Sequence, residues 1–451
     1  MEWGEDFEDR TDSGKLVVGI VGMGYVGLPT AIGFYNAGFT VFGIDSSESV
    51  IASLLNGRNP TNEPTLEDRI PSSTDERWNI THSFTDSIPK CDVVIVSVPT
   101  PVTEERRIDA KFVREAGHSI FSNVRNDSNT IVILESTVYP GLTRSEWFPI
   151  VDEYGLKMGT DVEIAYCPER YNPGDPVHGI NNVDRVIGST NPLVGQSLVK
   201  LYSKLTSGGV HHVGSIEVAE SSKLIENVQR DINIALVNEL SMILPKLGVD
   251  IEEVLDAAST KWNFHRYTPG IGVGGHCIPV DPYFLIDQAN ERNSSLELIS
   301  AAREINNHMP IFIAEEIVEI LETAGVPKNG RRALIVGWSY KPQLGDSRGS
   351  PSKDLAEVLM SKGIEVSSWD PYVPKNQFSE GVSIVDEVTE VGGYDIVIIA
   401  TAHEEIANFN WEEIAENMRN PIIFDGRRCL DINHLSVMGW HVEAVGMPRN
   451  Q

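Results

Sequence analysis

Cysteine is scarce in this chain: there are four in 451 residues, at positions 91, 167, 277 and 429, and no CxxC pair among them. That spacing excludes a disulfide framework and a cysteine-based zinc site, and it points to a reducing cytoplasm. His211 and His212 do not complete a ligand set, so no metal is expected. No run of about 18 apolar residues occurs, so no membrane-spanning helix is expected. Basic residues are also few, 36 Lys and Arg against 65 Asp and Glu, for a formal net charge of −29. A surface this acidic repels nucleic acid and anionic membranes. A small anionic ligand is still compatible with it, provided a few Lys and Arg converge in one cleft. The acidic excess fits a salty cytoplasm or plain solubility equally well. The first residues, MEWGEDFEDRTDSGK, are acidic and polar where a signal peptide would be basic and then apolar. Residues 1–14 read as a short disordered leader.

With 41% hydrophobic residues over this length, the chain can fill the cores of two or three domains. Lys15 to Gly22 is an apolar, β-branched run that leads into Gly22-Met23-Gly24-Tyr25-Val26-Gly27 and then a helical pattern. Further strands are expected in FTVFGID, ending at Asp45, in CDVVIVSVPTP (91–101) and in NTIVILEST (129–137). Strands alternating with helices predict a parallel, doubly wound sheet. From about Val218 to Leu247 the apolar residues fall three and four apart with no glycine, which predicts a long helix; a second covers about Leu296 to Ala324. The α/β pattern then resumes in ALIVGWSYK (333–341), IEVSSWDP (364–371), YDIVIIATAHE (394–404) and PIIFDGR (421–427). These segments echo the first four strands in order, down to an Asp, Asp45 or Asp370, ending the second strand. The fold class expected is therefore α/β, with two doubly wound Rossmann-like domains joined by a helical middle. Its parts are residues 15–215, 216–325 and 326–451.

GxGxxG alone is weak evidence for a nucleotide. Here it follows a strand, opens a helix and precedes an acidic residue at the end of the next strand, which is the context a dinucleotide site requires. Gly22 permits the tight turn, Gly24 lets a pyrophosphate approach the helix N-terminus, and Gly27 allows close packing of helix on strand. Asp45 would accept hydrogen bonds from a ribose and repel a 2′-phosphate, and no Arg follows it, so NAD is expected over NADP. The second α/β half lacks the glycine motif and is not expected to bind a dinucleotide in the same way.

Residues 269–282, PGIGVGGHCIPVDP, place Cys277 on a glycine-dense loop with Asp281 four positions on. Gly270, Gly272, Gly274 and Gly275 are read as giving the backbone positive φ and a close approach to a ligand, while Pro269, Pro279 and Pro282 stiffen the flanks. A lone cysteine beside a tight turn is more often a small buried hydrophobe. An NAD domain together with a loop thiol raises another possibility, an oxidation that passes through a covalent thiohemiacetal and a thioester.

The set IVGMGYVGLP, VPTP (98–101), ESTVYPG (135–141), CPERYNPG (167–174), the helix bearing Lys223 and Asn227, GVGGHCIPVDP and YKPQLGDSRGSP (340–351) resembles the UDP-glucose/GDP-mannose dehydrogenase family. The resemblance runs in order from about Leu16 to Arg428. It implies an NAD domain, a helical middle through which subunits form a homodimer or higher oligomer, and a C-terminal domain that holds UDP. It further implies a four-electron oxidation of a sugar C6 alcohol to the carboxylate with two NAD. By motif, Cys277 is implied as nucleophile, Lys223 as acid/base and oxyanion partner, and Glu169 as acid/base for thioester hydrolysis. Asn227, Asp281 and Thr137 are implied as orienting groups. Cofactor contacts are implied for Gly22, Met23, Gly24, Tyr25, Val26, Gly27, Asp45, Pro99, Thr100, Thr137 and Arg348. Substrate contacts are implied for Glu169, Arg170, Lys223, Asn227, Tyr267, Gly270, Gly274, Lys341 and Arg427. The sequence departs from the pattern at Gly349, where Glu is common after the Arg, and at His276, where some relatives have Ser.

The stretches QRDINIALVNEL (229–240), AASTKWNF (257–264) and CPERYNPGD resemble the branch that acts on UDP-N-acetylhexosamines. UDP-N-acetylglucosamine is the first choice, with UDP-N-acetylmannosamine, UDP-N-acetylgalactosamine and UDP-glucose as alternatives. Two other readings stand beside it. One is a catalytically silent dinucleotide-binding scaffold. The other is an ordinary alcohol or 3-hydroxyacid dehydrogenase, which would need no thiol.

Overall fold

The computed structural model describes residues 3–61, 66, 69–103, 107–170, 179–388 and 392–449. Tyr171 to Gly174, the end of the CPERYNPG motif, lie outside them. By internal contacts the chain forms two compact units, Met1–Glu226 with Tyr283–Glu291, and Asn227–Pro282 with Arg292–Gln451.

The first unit carries α1 (Trp3–Asp12), β1 (Val17–Val21), α2 (Gly27–Asn36), β2 (Thr40–Ile44), α3 (Glu48–Leu55), β3 (Trp78–Thr81) and α4 (Phe84–Ser87). It continues with β4 (Val93–Val96), α5 (Lys111–Phe121), β5 (Thr130–Leu134), α6 (Leu142–Glu153), β6 (Val162–Tyr166), β7 (Arg185–Ser189), α7 (Pro192–Tyr202) and β8 (Val210–His212). Its sheet has the order β3-β2-β1-β4-β5-β6-β7-β8. All pairs are parallel except β6 with β7. Helices cover both faces, so β4, β5 and β6 are buried along their whole length; β4 and β5 read as near-continuous apolar runs, while β6 carries the buried Glu163.

The expected leader is instead the helix α1. Phe7, 6% exposed, and Thr11, 1% exposed, lie one turn apart and face inward. Arg10 pairs with Asp92 at 2.5 Å and Lys200 with Asp12 at 2.7 Å. The run is acidic, but Glu8, Arg10 and Asp12 have charge partners and its inward stripe has a core to join.

The middle of the chain is helical, with α8 (Ile216–Ile243), α9 (Ile251–Ser259), α10 (Asp281–Glu291) and α11 (Glu297–Thr323). Among the described residues no single helix is long and apolar enough to cross a membrane. The second unit then adds β9 (Arg332–Val336), α12 (Pro351–Ser361), β10 (Glu365–Trp369), β11 (Ser383–Ile384), β12 (Ile396–Ile399), α13 (Trp411–Asn417), β13 (Ile422–Asp425), α14 (Ile432–Val437) and β14 (His441–Ala444). Its sheet order is β11-β10-β9-β12-β13-β14. This repeats β3-β2-β1-β4-β5-β6 strand for strand, so the echo between the two halves of the sequence is an architectural repeat.

The two acids at corresponding strand ends have diverged in use. Asp45 accepts Met23 N–H and Ser47 N–H, each at 2.8 Å. Asp370 accepts Trp338 N–H at 2.7 Å, Ser339 N–H at 2.8 Å and Tyr372 N–H at 2.9 Å, and it meets His403 Nε2 at 3.0 Å. With no side-chain exposure, it is a structural knot. Burial alone would raise its pKa, but the bond and charge of His403 and the backbone donors outweigh that and hold it down to about 2. A carboxylate depressed in this way adds stability above its unfolded value of 3.8 and loses it as pH falls through about 2. Asp370→Asn should therefore cost about 1–3 kcal/mol at pH 7. The gap to wild type should narrow as pH is lowered from about 4 towards 2. Urea titrations at several pH values would check this, and a gap independent of pH would contradict it.

Candidate active site

In the first unit the turn between β1 and α2 is set by sterics. Gly22 has φ +91°, and a β-carbon there would meet Ser97 O at 2.6 Å; one at Gly27 would meet Gly22 O at 1.8 Å. Ser97 Oγ donates to Gly22 O at 2.9 Å and so ties the turn to the end of β4. Gly24 differs, because a β-carbon there would have nothing within 4 Å. Val26 precedes α2 without a side-chain cap; Leu28 N–H donates to Gly24 O at 3.1 Å and Pro29 has no N–H, which leaves the Gly27 N–H at the helix start for an anion. These features fit a dinucleotide pyrophosphate. The Met23 side chain is fully buried, so its contribution to the turn is its N–H on Asp45. Pro99 is exposed, and Thr100 Oγ1 donates to Thr137 O at 2.8 Å, joining the ends of β4 and β5. The groups gather at the carboxyl ends of β1, β4 and β5, where the strand order reverses and open α/β sheets bind ligands.

Behind these strand ends lies a buried charge cluster that the sequence reading did not anticipate. Arg185, wholly buried at the start of β7, reaches Glu169 Oε2 at 2.8 Å and Glu135 Oε1 at 3.2 Å. Glu135 also accepts from Thr30 at 3.2 Å and from Tyr202 at 3.3 Å. Burial raises the Glu135 pKa most, Arg185 opposes this and Glu169 adds to it; the result is about 7. Glu169 is 7% exposed and takes Arg170 N–H on its other oxygen at 2.7 Å. The Arg170 side chain pairs with Glu226 at 2.8 Å. Lys223, on α8, is partly exposed. The signal that was available is a charge abutting an apolar strand: Glu135 directly after TIVIL, inside a motif already quoted, and Arg185 directly before VIG.

The second unit holds the thiol loop. Cys277 is partly exposed, whereas Cys91 and Cys167 are buried. Burial pushes each of those two thiols up to about 12. Cys277 O accepts Val280 N–H at 3.0 Å and Asp281 N–H at 2.8 Å. Asp281, 2% exposed and the first residue of α10, receives Asn227 Nδ2 at 2.5 Å. The glycines need a different account from the one expected. Only Gly272 and Gly275 have positive φ, +134° and +96°, and all four abut protein. A β-carbon at Gly270 would lie 2.7 Å from Arg427 Nη1, at Gly272 3.1 Å from Pro351, at Gly274 2.7 Å from Pro351 and Tyr340, and at Gly275 2.9 Å from the Tyr340 ring.

The fold thereby brings the thiol loop together with the 340–351 loop and Arg427, which are distant in sequence. Gly349, the departure noted above, has φ +56°, and a β-carbon there would be 3.2 Å from Gly275 O. Arg427 is held by Ala400 O at 2.5 Å, and burial lowers its pKa. Lys341 is half-buried, and its backbone oxygen accepts from Ser339 at 3.0 Å. Arg348 pairs with Asp346 at 2.6 Å. Tyr267 packs on the small cluster of Val237, Ile251 and Leu255. Among the described residues no three His, Cys, Asp or Glu side chains gather as a metal site.

The different surroundings of two glycines give a paired test. Gly27→Ala should lose at least about 2 kcal/mol of stability through backbone overlap. Gly24→Ala should keep stability within about 1 kcal/mol yet weaken NAD binding by about tenfold or more, because the methyl occupies the open side. Denaturation and NAD titration of both variants would check this. Equal stability losses would contradict it.

Comparison with known proteins agrees with this geometry. The sequence matches the NAD binding domain of the UDP-glucose/GDP-mannose dehydrogenase family over residues 16–206, its central domain over 217–308 and its UDP binding domain over 334–432. A UDP-N-acetyl-D-glucosamine 6-dehydrogenase of Pseudomonas aeruginosa is 36% identical over 92% of this chain and 97% of its own. A UDP-N-acetyl-D-mannosamine dehydrogenase of Pyrococcus horikoshii is 34% identical over 92% and 96%. A solved UDP-D-ManNAc dehydrogenase structure from P. horikoshii superposes with a TM-score of 0.86 at 32% identity, covering 96% of this chain and 99% of that one. The NAD turn, the UDP-binding half and the match along nearly the whole chain place it in the UDP-glucose/GDP-mannose dehydrogenase family, as an NAD-dependent UDP-sugar dehydrogenase.

Proposed function

We propose that the chain oxidises the C6 hydroxyl of a UDP-N-acetylhexosamine, UDP-N-acetylglucosamine before its epimers, to the uronate through a thioester on Cys277. The observation that carries the reading is the thiol loop itself: the partly exposed cysteine of the chain sits on a backbone fixed by protein contacts. The choice of sugar rests on the 36% identity to the P. aeruginosa enzyme named for UDP-N-acetyl-D-glucosamine. Relatives named for the mannosamine epimer follow closely at 34%.

Bound NAD supplies the hydride acceptor, two equivalents for each sugar. The chain's own residues manage protons and the covalent bond. Lys223 takes the C6 hydroxyl proton as the alcohol becomes an aldehyde. The Cys277 thiolate then adds to C6, and the new oxyanion is steadied by Lys223 and Asn227 and takes a proton. Loss of a second hydride from C6, with its hydroxyl proton going to Lys223, leaves the thioester. Glu169 takes a proton from water, the oxygen adds to C6, and the C–S bond breaks to return the thiolate and release the carboxylate. The Asn227–Asp281 bond at 2.5 Å fixes the amide that this scheme needs. Thr137 orients groups near the water. On this reading Arg170, Tyr267, Gly270, Gly274, Lys341 and Arg427 contact the substrate, and Arg348 contacts the cofactor. Guanidinium and ammonium groups suit a pyrophosphate.

The same reading includes a homodimer in a reducing cytoplasm. Its support is the exposed aliphatic side of α8, with Ile225 59%, Leu236 52% and Ile243 47% exposed, which is more apolar surface than a monomer needs to show.

A panel of UDP-sugars followed at 340 nm should give the highest kcat/KM with UDP-N-acetylglucosamine. Cys277→Ser should lower kcat by on the order of a thousandfold or more; a fully active variant would overturn the thioester route. In sedimentation velocity the wild-type chain should run as a dimer and a Leu236→Asp, Ile243→Asp double variant as a monomer. A monomeric wild type would contradict the dimer.

A further inference from the structure

We infer that Asn238 is a positioning residue that fixes the leading end of the thiol loop, as the last link of a buried polar chain running from α11 through α8 to Gly270. The inference rests on the reading of Cys277 as nucleophile and adds to it a group that touches no substrate. Arg303 on α11 pairs with Asp231 on α8 at 2.5 Å. Asn306 Nδ2 donates to Asp231 Oδ1 at 2.8 Å and to Asp231 O at 3.0 Å. Asn238 Nδ2 donates to Asn306 Oδ1 at 2.9 Å, and Gly270 N–H donates to Asn238 Oδ1 at 3.0 Å. All four side-chain-bearing members are 3% exposed or less.

The direction of the chain follows from chemistry. An ionised carboxylate only accepts, so Asn306 must turn its NH2 to Asp231 and its oxygen to Asn238. Asn238 in turn must offer its NH2 to Asn306 and its oxygen to Gly270. Each amide is thus locked in one of its two orientations by the Arg303–Asp231 pair. Water has no access to substitute for a missing link, so an interruption leaves buried groups unpaired.

The same helix holds the other end of the loop. Asn227 and Asn238 lie about three turns apart on one stripe of α8, with Asp231 between them, and Asn227 bonds Asp281. Cys277 therefore sits on a span pinned at Gly270 and at Asp281 to a single rigid helix. Gly270 is also the residue against which Arg427 lies, with a β-carbon there only 2.7 Å from Nη1. Movement of the Gly270 end disturbs that guanidinium as well as the thiol. The segment QRDINIALVNEL, which resembled the N-acetylhexosamine branch, contributes Asp231 and Asn238 to this anchor, and both are too buried to meet a sugar directly.

The test uses the full chain and reads two quantities that a purely structural role would leave unchanged. Iodoacetamide alkylation is followed by peptide mass spectrometry at Cys277, with the exposed Cys429 of the same unit as internal reference, well below the melting temperature and without substrate. Asn238→Ala should change the Cys277-to-Cys429 rate ratio by about threefold or more and lower kcat by about tenfold or more, with a smaller change in KM. Asn238→Asp keeps the acceptor for Gly270 N–H and should retain more of kcat than Asn238→Ala. If Asn238→Ala does not fold, Asn306→Ser breaks the same chain one link away and should shift the ratio in the same direction. A lower melting temperature with ratio and kcat both within twofold of wild type would overturn the inference. The alkylation ratio needs no sugar, so it still tests the anchor if no UDP-sugar is turned over and the proposed function fails.

Discussion

A backbone stripped of side chains before Cys277 is what the second unit is assembled around. At Gly270, Gly272, Gly274 and Gly275 the main chain runs so near to Arg427, Pro351 and Tyr340 that a single β-carbon would meet them at 2.7 to 3.1 Å. A side chain at any of them would displace those neighbours, and at Gly274 it would also meet the backbone at Gly349 O, 2.8 Å away. These contacts join a loop from the helical middle to two loops of the C-terminal sheet, after β9 and after β13. The position of the thiol, the guanidinium of Arg427 and the turn at Gly349 are consequently one packing problem. The hydrogen bonds of α8 then select one solution of it.

The first unit solves its site by the same means on a smaller scale. Gly22 and Gly27 are compelled by the contact of α2 with β1 and Ser97, and Gly24 alone keeps space beside it. Asp45 faces the turn in one sheet, and Asp370 faces the matching turn in the other. In the second case His403 and four backbone donors take up the carboxylate. One architecture thus yields an open turn suited to a dinucleotide in one half and a closed one in the other.

Most of this fold was legible in the sequence because its central strands are buried on both faces and are predominantly apolar, with few polar interruptions such as Ser367 and Ser368 of β10. The four principal strands of each sheet and the repeat between the halves follow from such runs, and the long helices α8 and α11 from apolar residues three and four apart. The strands that escaped notice lie towards sheet edges, such as WNIT and HVEA, or pair antiparallel, as β7 does with a buried arginine as its first residue. The leader was misread because its acidity is local while the partners of those charges, Asp92 and Lys200, are remote. In the candidate site the motif residues could be named from sequence, but what holds them could not. Arg185, Glu135, Asn238 and Asn306 act through partners 16 to 105 positions away. The glycine loop was recognisable as special, though its glycines answer to protein neighbours and only two of them to positive φ.

The central claim is that Cys277 carries the sugar as a thiohemiacetal between the two oxidations and as a thioester after the second. The most direct measurement is a single-turnover experiment with enzyme and NAD in excess over UDP-N-acetylglucosamine, quenched in acid and read for both NADH and the mass of the Cys277 peptide. The account predicts two NADH for each sugar consumed and a transient uronyl adduct on that peptide. One NADH for each sugar, with Cys277 unmodified throughout, would contradict it.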